Sequence, residues 1–417
     1  MIVALPAVMP TYNRLPVAFT HGRGAWLWDR DGNRYLDALS GVAVNGLGHA
    51  HPKITAALSD QIARLIHASN LYVIPEQDEL AELLVDISGM SQVFFANSGS
   101  EAVECAIKVA RLYGHKQGNE CPHIVVMEGA FHGRTLASLT ATGNRAYQRG
   151  FEPLVDGFVR VPFGDLPAIE RAAADHPNIA AVLLEIVQGE GGIRLCSAAY
   201  LRSLRALCDH HGWLLLYDEA QTGVGRTGEY FGFQHTGVRP DVMALAKGLA
   251  SGLPMGACLV AGPAEGLFGP GNHGSTFGGN PLACIASLAT FEVLRDEGLL
   301  RNAARQGDRI LNSLTTWLAG TPGVVEIRGQ GLMIGIELHR NCRELARTAL
   351  SGGLLINVTA DRVIRLLPPL IINDTEADEI VRRLVPLVEQ FLSQTDDGEP
   401  MSSEADDRLC VRRATTS

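Results

Sequence analysis

Between residues 92 and 261 the sequence repeats one pattern: a short, apolar, β-rich run, then a longer stretch with apolar residues at helical spacing. That alternation constrains the fold to a parallel sheet covered on both faces by helices. Strands buried on both faces read as nearly unbroken apolar runs, and parallel neighbours need a crossover between them. Strands are expected over 92–96, 123–128, 181–187, 213–218, 242–245 and 257–261. Helices are expected over 101–116, where Ala102, Ala106, Val109 and Tyr113 share one face, and over 198–211.

From about Pro281 the pattern changes. Helical spacing over 283–299 and 303–318 gives way to strand-like runs at 324–329, 332–338, 355–358 and 363–367, and a last helix covers 375–394. This reads as a smaller α+β lobe. The N-terminal segment completes it, since 25–29 and 34–37 flank the turn Asp31-Gly32-Asn33 as a hairpin would. The expected division is an N-terminal segment over 1–60 joining the small lobe, a large domain over 61–290, a small domain over 291–394, and a tail over 395–417. The tail is rich in Ser, Thr and charge without periodicity, which predicts disorder. A chain of 417 residues is long enough to bury both lobes.

A net charge of −10 argues against a nucleic-acid partner, which would call for clustered Lys and Arg. The eight cysteines are scattered and form no C-x-x-C pair, a distribution that fits thiols in a reducing compartment better than a disulfide framework or a zinc site. The start, 1–10, is apolar but lacks a basic region and is interrupted by Pro6, so no secretory signal is expected. No apolar run reaches the length of a membrane span. These features predict a cytoplasmic enzyme acting on small molecules.

In an open α/β sheet, ligands bind beyond the carboxyl ends of the strands, so the residues that follow each run carry the information. Asn97-Ser98-Gly99-Ser100-Glu101 is a polar turn opening a long helix, where backbone N–H groups and the helix dipole favour a phosphate. Ser98 and Glu101 also fit an ordinary capping box. The run 213–217 ends in Asp218-Glu219, and 242–245 leads into Ala246-Lys247-Gly248. A Lys among apolar and glycine neighbours can act as an amine nucleophile on a carbonyl. Such a Lys, paired with an Asp able to contact a pyridinium nitrogen, is the arrangement that pyridoxal 5′-phosphate requires.

Gly223, Gly225 and Gly228 spell G-x-G-x-x-G after a strand. They run into Glu229-Tyr230-Phe231-Gly232-Phe233 instead of opening a helix, which argues against a dinucleotide site. The pairs His49/His51 and His210/His211 lack a carboxylate or cysteine at ligand spacing, so no metal is expected.

From about Asn13 to Gln394 the chain resembles the class III aminotransferases. The segments that carry the resemblance are Gly46-Leu47-Gly48-His49 with His51-Pro52, Asn97 to Glu101, Phe131-His132-Gly133-Arg134-Thr135, Gln188-Gly189-Glu190-Gly191-Gly192, Asp218-Glu219 with Gln221-Thr222-Gly223, Ala246-Lys247, and Gly274-Ser275-Thr276-Phe277-Gly278-Gly279-Asn280-Pro281. It implies a fold type I pyridoxal-phosphate enzyme in which Lys247 carries the cofactor as a Schiff base and Asp218 pairs with its ring nitrogen. Gly99 and Ser100 would hold the phosphate, Phe131 would stack on the ring, and Gln221 would approach the phenolic oxygen. Thr276 would reach the phosphate of a neighbouring subunit's cofactor, so a homodimer with shared sites is implied.

For the substrate, the resemblance implies that Arg134 binds the carboxylate farthest from the reacting amine, with Ser275 also in the substrate site. Arg365 would bind the α-carboxylate of glutamate, and Glu190 would pair with Arg365 when no such carboxylate is present. The implied reaction is two-step transfer of the δ-amino group of N-acetylornithine to 2-oxoglutarate, giving glutamate, a step of arginine biosynthesis. Ornithine, succinylornithine, succinyldiaminopimelate and 4-aminobutyrate are rival donors. A non-catalytic cofactor-binding regulator is the alternative of a different class, against which Lys247 and the Glu190/Arg365 pair argue. Three departures stand out: Ile186 where a proline is usual, Ala220 where Val is usual, and Val73, which speaks weakly against free ornithine.

Overall fold

The structure, a computed structural model, describes residues 7–394; residues 1–6 and the tail expected over 395–417 lie outside them. Its centre is a seven-stranded sheet of β1 (Gln92–Ala96), β2 (His123–Met127), β3 (Phe158–Val161), β4 (Ile179–Leu184), β5 (Leu214–Asp218), β6 (Val242–Leu245) and β7 (Gly256–Val260). Their spatial order is β1-β7-β6-β5-β4-β2-β3. β7 runs antiparallel to both neighbours, and the other pairs are parallel. The mostly parallel sheet expected from the alternation is therefore present. Every residue of β4, β5 and β6 is buried, which is why these strands read as unbroken apolar runs.

The reversed strand matters for the site. Gly256 of β7 faces Ala96 at the end of β1, and Ala257 faces Leu245 at the end of β6. The loop entering β7 therefore arrives at the same edge where β1, β5 and β6 deliver their C-terminal residues.

Three expectations need correction. β3 was not expected: Phe-Val-Arg-Val is a four-residue edge strand, too short to show a period and broken by Arg160. The run 181–187 is two elements. β4 stops at Leu184, and Val187–Gln188 pairs with Arg194–Leu195 in a separate ribbon. The chain turns away because the buried Glu185 carboxylate accepts the N–H groups of Phe131 (2.9 Å) and Gly189 (3.0 Å). The run 355–358 also divides. Leu354–Leu355 pairs parallel with Arg34–Asp37, whereas Asn357–Thr359 pairs antiparallel with Val363–Leu366. Periodicity cannot see a chain passing from one sheet to another inside a single apolar run.

The hairpin Trp26–Asp29 and Arg34–Asp37 forms as expected, its turn tied by Asp29 Oδ1, which accepts the N–H groups of Asp31 and Asn33 at 2.9 Å each. An additional strand, Phe19–Arg23, pairs outside it; it is mostly exposed and carries no apolar alternation to signal it. Leu354–Leu355 adds to this sheet, so the N-terminal segment is stitched to the C-terminal part of the chain. The other four-stranded sheet comprises Val324–Gln330, Met333–Leu338, Val363–Leu366 and Asn357–Thr359. Helices Pro281–Asp296, Leu299–Leu318 and Asp374–Ser393 accompany it. The last begins with a capping box between Asn373 and Glu376. Among the described residues, no helix is long and apolar enough to cross a membrane.

Candidate active site

A pocket of about 320 Å³ opens at the edge where these strands end, and its lining includes Ser98 to Ser100, Phe131 to Gly133, Glu185, Asp218, Gln221 and Lys247. Val44 from the N-terminal segment and the loop Gly252 to Met255 close it.

Lys247 follows β6 directly, in a left-handed conformation at φ 46°, a strained setting for a residue with a side chain. The residue is half-buried, and its amine has no hydrogen-bond or ion-pair partner among the described residues. Burial pushes its pKa down, and the carboxylates of Asp218 and Glu185 offset this only in part. The neutral, nucleophilic form is favoured accordingly. Asp218 ends β5. Its Oδ2 accepts a hydrogen bond from His132 Nδ1 at 2.8 Å, and its Oδ1 accepts the N–H of Ala220 at 3.0 Å. Both side chains of the His132–Asp218 pair are almost fully buried. Burial pushes the Glu185 carboxyl up to about 7.

The turn after β1 forms a helix N-cap without closing the capping box that its sequence allows. Ser98 Oγ accepts the N–H of Glu101 at 3.2 Å, whereas the Glu101 carboxylate takes the N–H of Asn97, at 2.7 Å, rather than closing the box on Ser98. Gly99 and Ser100 are the first residues of the helix, where N–H groups have no intrahelical acceptor. Across the pocket, Gly133 sits at φ 134°; a Cβ there would lie 2.3 Å from Ser100 Oγ, so the two walls approach this closely only with glycine. Arg134 N–H donates to the same Ser100 Oγ at 3.2 Å.

Behind Gln221 lies an ion pair. Arg365 Nη1 is 2.7 Å from Glu190 Oε1, the arginine side chain being 1% exposed and the glutamate 29%. Arg365 also donates to Asn357 Oδ1 at 3.1 Å and to Gln221 Oε1 at 3.4 Å. Glu190 is further held through its carbonyl by the Thr359 hydroxyl. Ser275 Oγ accepts from Asn97 Nδ2 at 3.2 Å and from Gly278 N at 2.9 Å.

The structure thus gathers Lys247, Asp218, Gly99, Ser100, Phe131 and Gln221 around one pocket. It places Arg365 and Glu190 against its wall, Arg134 at its rim, and Ser275 beside its first turn. Thr276 is exposed and does not line this pocket. Sequence reasoning assigned no role to His132 or to Glu185. His132 stands next to Phe131 in a quoted motif, and Glu185 is a carboxylate ending a wholly apolar run; a buried polar group in either place must find a partner.

The neighbouring acid, Glu219, points away from the pocket. It accepts the Thr222 hydroxyl and the N–H of Gly232 at 2.7 Å each, and the N–H of Phe233 at 2.8 Å. It therefore organises the turns that contain Gly223, Gly225 and Gly228. Glu219→Ala is expected to destabilise the fold by about 2–4 kcal/mol, because it strands two buried N–H groups. Urea unfolding measures this, and an unchanged midpoint would remove Glu219 from that role.

Comparison with known proteins gives the same reading. The model of the family described as aminotransferase class-III matches residues 7–388. The chain is 58% identical to acetylornithine aminotransferase 1 of Bordetella bronchiseptica, covering 93% of this chain and 99% of that protein. It is 55% identical to acetylornithine aminotransferase of Nitrosomonas europaea, covering 92% and 98%. Among solved structures, ornithine aminotransferase from Toxoplasma gondii superposes with a TM-score of 0.89 at 32% identity, covering 93% of each chain. With a family match across nearly all of the described residues, and these strand ends converging on one pocket lysine, the chain belongs to the class III aminotransferases.

Proposed function

We propose that this enzyme transfers the δ-amino group of N-acetylornithine to 2-oxoglutarate, as a step in arginine biosynthesis. The names of its relatives support the donor. The observation that carries the reading is the buried Arg365 held by a removable, partly exposed Glu190. An enzyme that alternates between an amine with no carboxylate at the reacting carbon and glutamate, which has one, needs such a switchable cation. Steady-state rates with N-acetylornithine, succinylornithine, ornithine and 4-aminobutyrate, each with 2-oxoglutarate, test it; a faster donor among the other three would displace the assignment.

Class III aminotransferases are pyridoxal-phosphate-dependent, and the residues present fit that cofactor. The pocket offers an unpartnered, half-buried amine, a strand-end carboxylate facing it and the free N–H groups of a helix start. When bound, pyridoxal phosphate supplies a carbonyl for the amine and a ring that takes up the electrons of a carbon losing its proton. In our reading Lys247 Nζ would hold the cofactor and, as a free amine, would move the proton from the amine-bearing substrate carbon to the cofactor's carbonyl carbon. Asp218, oriented by His132, would hold the ring nitrogen protonated. Gly99 and Ser100 would bind the phosphate through their N–H groups, Phe131 would cover the ring face, and Gln221 would meet the ring oxygen. Arg134 takes the distal carboxylate, with Ser275 beside it.

We assign Thr276 to the phosphate of a second copy's cofactor, in a homodimer. Exposed apolar side chains near the pocket support this: Leu71, Tyr72 and Val73 are each more than 70% exposed and Phe277 is 60% exposed. Asn70 Nδ2 ties the two segments together by donating to the carbonyls of Ser275 (2.9 Å) and Gly278 (3.1 Å). The division at about residues 60 and 290 is supported by sheet membership, since the central sheet draws only on 92–260. A cytoplasmic setting is supported by seven described cysteines, all of them free thiols.

The switch makes a directional prediction. Glu190→Ala leaves Arg365 permanently available, so the half-reaction with glutamate should hold or improve while that with N-acetylornithine slows about tenfold or more. Single turnovers with one substrate at a time read the two halves separately. Equal slowing of both would make Glu190 a structural residue of its loop.

A further inference from the structure

Arg134 is exposed and has no carboxylate partner among the described residues, yet it does not extend freely into solvent. Its guanidinium carbon lies 3.8 Å from the centre of the Tyr147 ring and 5.4 Å from that of Phe131. The two rings meet edge to face, with centroids 6.1 Å apart and planes at 90°. One aromatic corner thus cradles the cation from two sides.

Tyr147 stands on a platform built to keep its place. It belongs to the short helix Arg145–Gln148, whose first N–H groups are capped by Asn144 Oδ1, accepting from Ala146 N at 2.9 Å. The next residue, Gln148, is buried, and its Nε2 lies within hydrogen-bonding distance of the carbonyls of Leu139 (3.0 Å), Thr140 (3.2 Å) and Thr142 (2.9 Å). Thr142 in turn accepts the N–H of His132 through its hydroxyl at 2.9 Å. The Tyr147 helix and the pocket wall at 131–134 are therefore fastened to the same short stretch of chain.

We propose that Tyr147 is a specificity-determining positioning residue, which holds Arg134 stacked at the rim and so presets the enzyme for substrates with a distal carboxylate. This rests on the reading of Arg134 as the distal-carboxylate site. An unstacked arginine loses several rotatable bonds' worth of freedom when it grips an anion, and that loss weakens binding. The Tyr147 face removes part of this loss before substrate arrives, while leaving the planar edge of the guanidinium open to a bidentate carboxylate. The tyrosine hydroxyl has no part in this, so the ring alone should suffice.

The test uses the holoenzyme and its amine half-reaction with two donors. One is N-acetylornithine; the other is N-acetyl-1,4-diaminobutane, the same amine without the carboxylate. For Tyr147→Leu, the N-acetylornithine concentration giving half the maximal single-turnover rate should rise about three- to thirtyfold, the span of a cation–π contact, with the maximal rate nearly unchanged. Tyr147→Phe should stay within about twofold of wild type, and Tyr147→Leu should leave the carboxylate-free donor within the same margin. Arg134→Ala supplies the reference. If it weakens N-acetylornithine and Tyr147→Leu does not, the role of Tyr147 is overturned and the distal-carboxylate reading stands. If Arg134→Ala itself has no effect on N-acetylornithine, that underlying reading fails and the inference with it. Equal losses on both donors, or a Tyr147→Phe as damaged as Tyr147→Leu, would also overturn the proposal.

Discussion

Lys247→Ala is expected to lower turnover by more than about 10⁴-fold, because one change removes both the covalent attachment point and the group that carries the proton. The loss should fall on chemistry and not on the fold: Ala246 and Lys247 start a short 3-10 turn, and no hydrogen bond runs through the side chain among the described residues. The cofactor should still bind through Gly99, Ser100 and Asp218, visible as a chromophore that gel filtration under mild denaturation strips from the variant more readily than from the wild type. Reduction with borohydride supplies the decisive reading. The chain has only four lysines, and the other three, Lys53, Lys108 and Lys116, do not line the pocket. Peptide mapping of the reduced wild type should find the pyridoxyl group on Lys247 alone. A label on any of the other three would end the assignment of Lys247 as the attachment point.

Asp218→Ala should cost kcat about 10²–10³-fold, the scale on which preorganised electrostatic contacts act in a water-excluded site. Two effects combine. The carboxylate at the end of β5 is lost, and His132 Nδ1, whose side chain is fully buried, loses its acceptor. A companion variant, His132→Gln, separates them: it leaves the carboxylate and disturbs only its orientation, so its loss should be about tenfold and no more. Near-normal kcat in Asp218→Ala would mean that another group manages the ring nitrogen. A His132→Gln variant as poor as Asp218→Ala would shift the weight to the pair as a unit.

Legibility in the sequence followed how local each constraint was. The central strands were readable because strands covered on both faces tolerate nothing polar, and their ends could be placed to within a residue or two at Asp218 and Leu245. Two edge strands, Phe158–Val161 and Phe19–Arg23, were not: they bury too little to leave a pattern. The same limit applies to the site. Lys247 and Asp218 announce themselves because an ionisable group at the end of an apolar strand has few structural uses. Tyr147 does not, since nothing local distinguishes a tyrosine on a four-residue helix that supports a distant arginine from one that simply faces solvent.

By itself, then, the sequence determined the element types, the mostly parallel sheet and the residues that strand ends present, because burial on two faces and helical spacing are properties of consecutive residues. Tertiary structure decided what those residues do to one another. It reversed β7 so that its entry loop joins the pocket, paired His132 with Asp218 across 86 positions, and set Arg365 of a strand against Glu190 in the turn of a separate ribbon. It also divided Asp218 from Glu219, sending one carboxylate to the pocket and the other to a buried turn. Such pairings depend on the distances that packing creates between remote segments, and a buried charge accepts whichever partner that packing brings within reach.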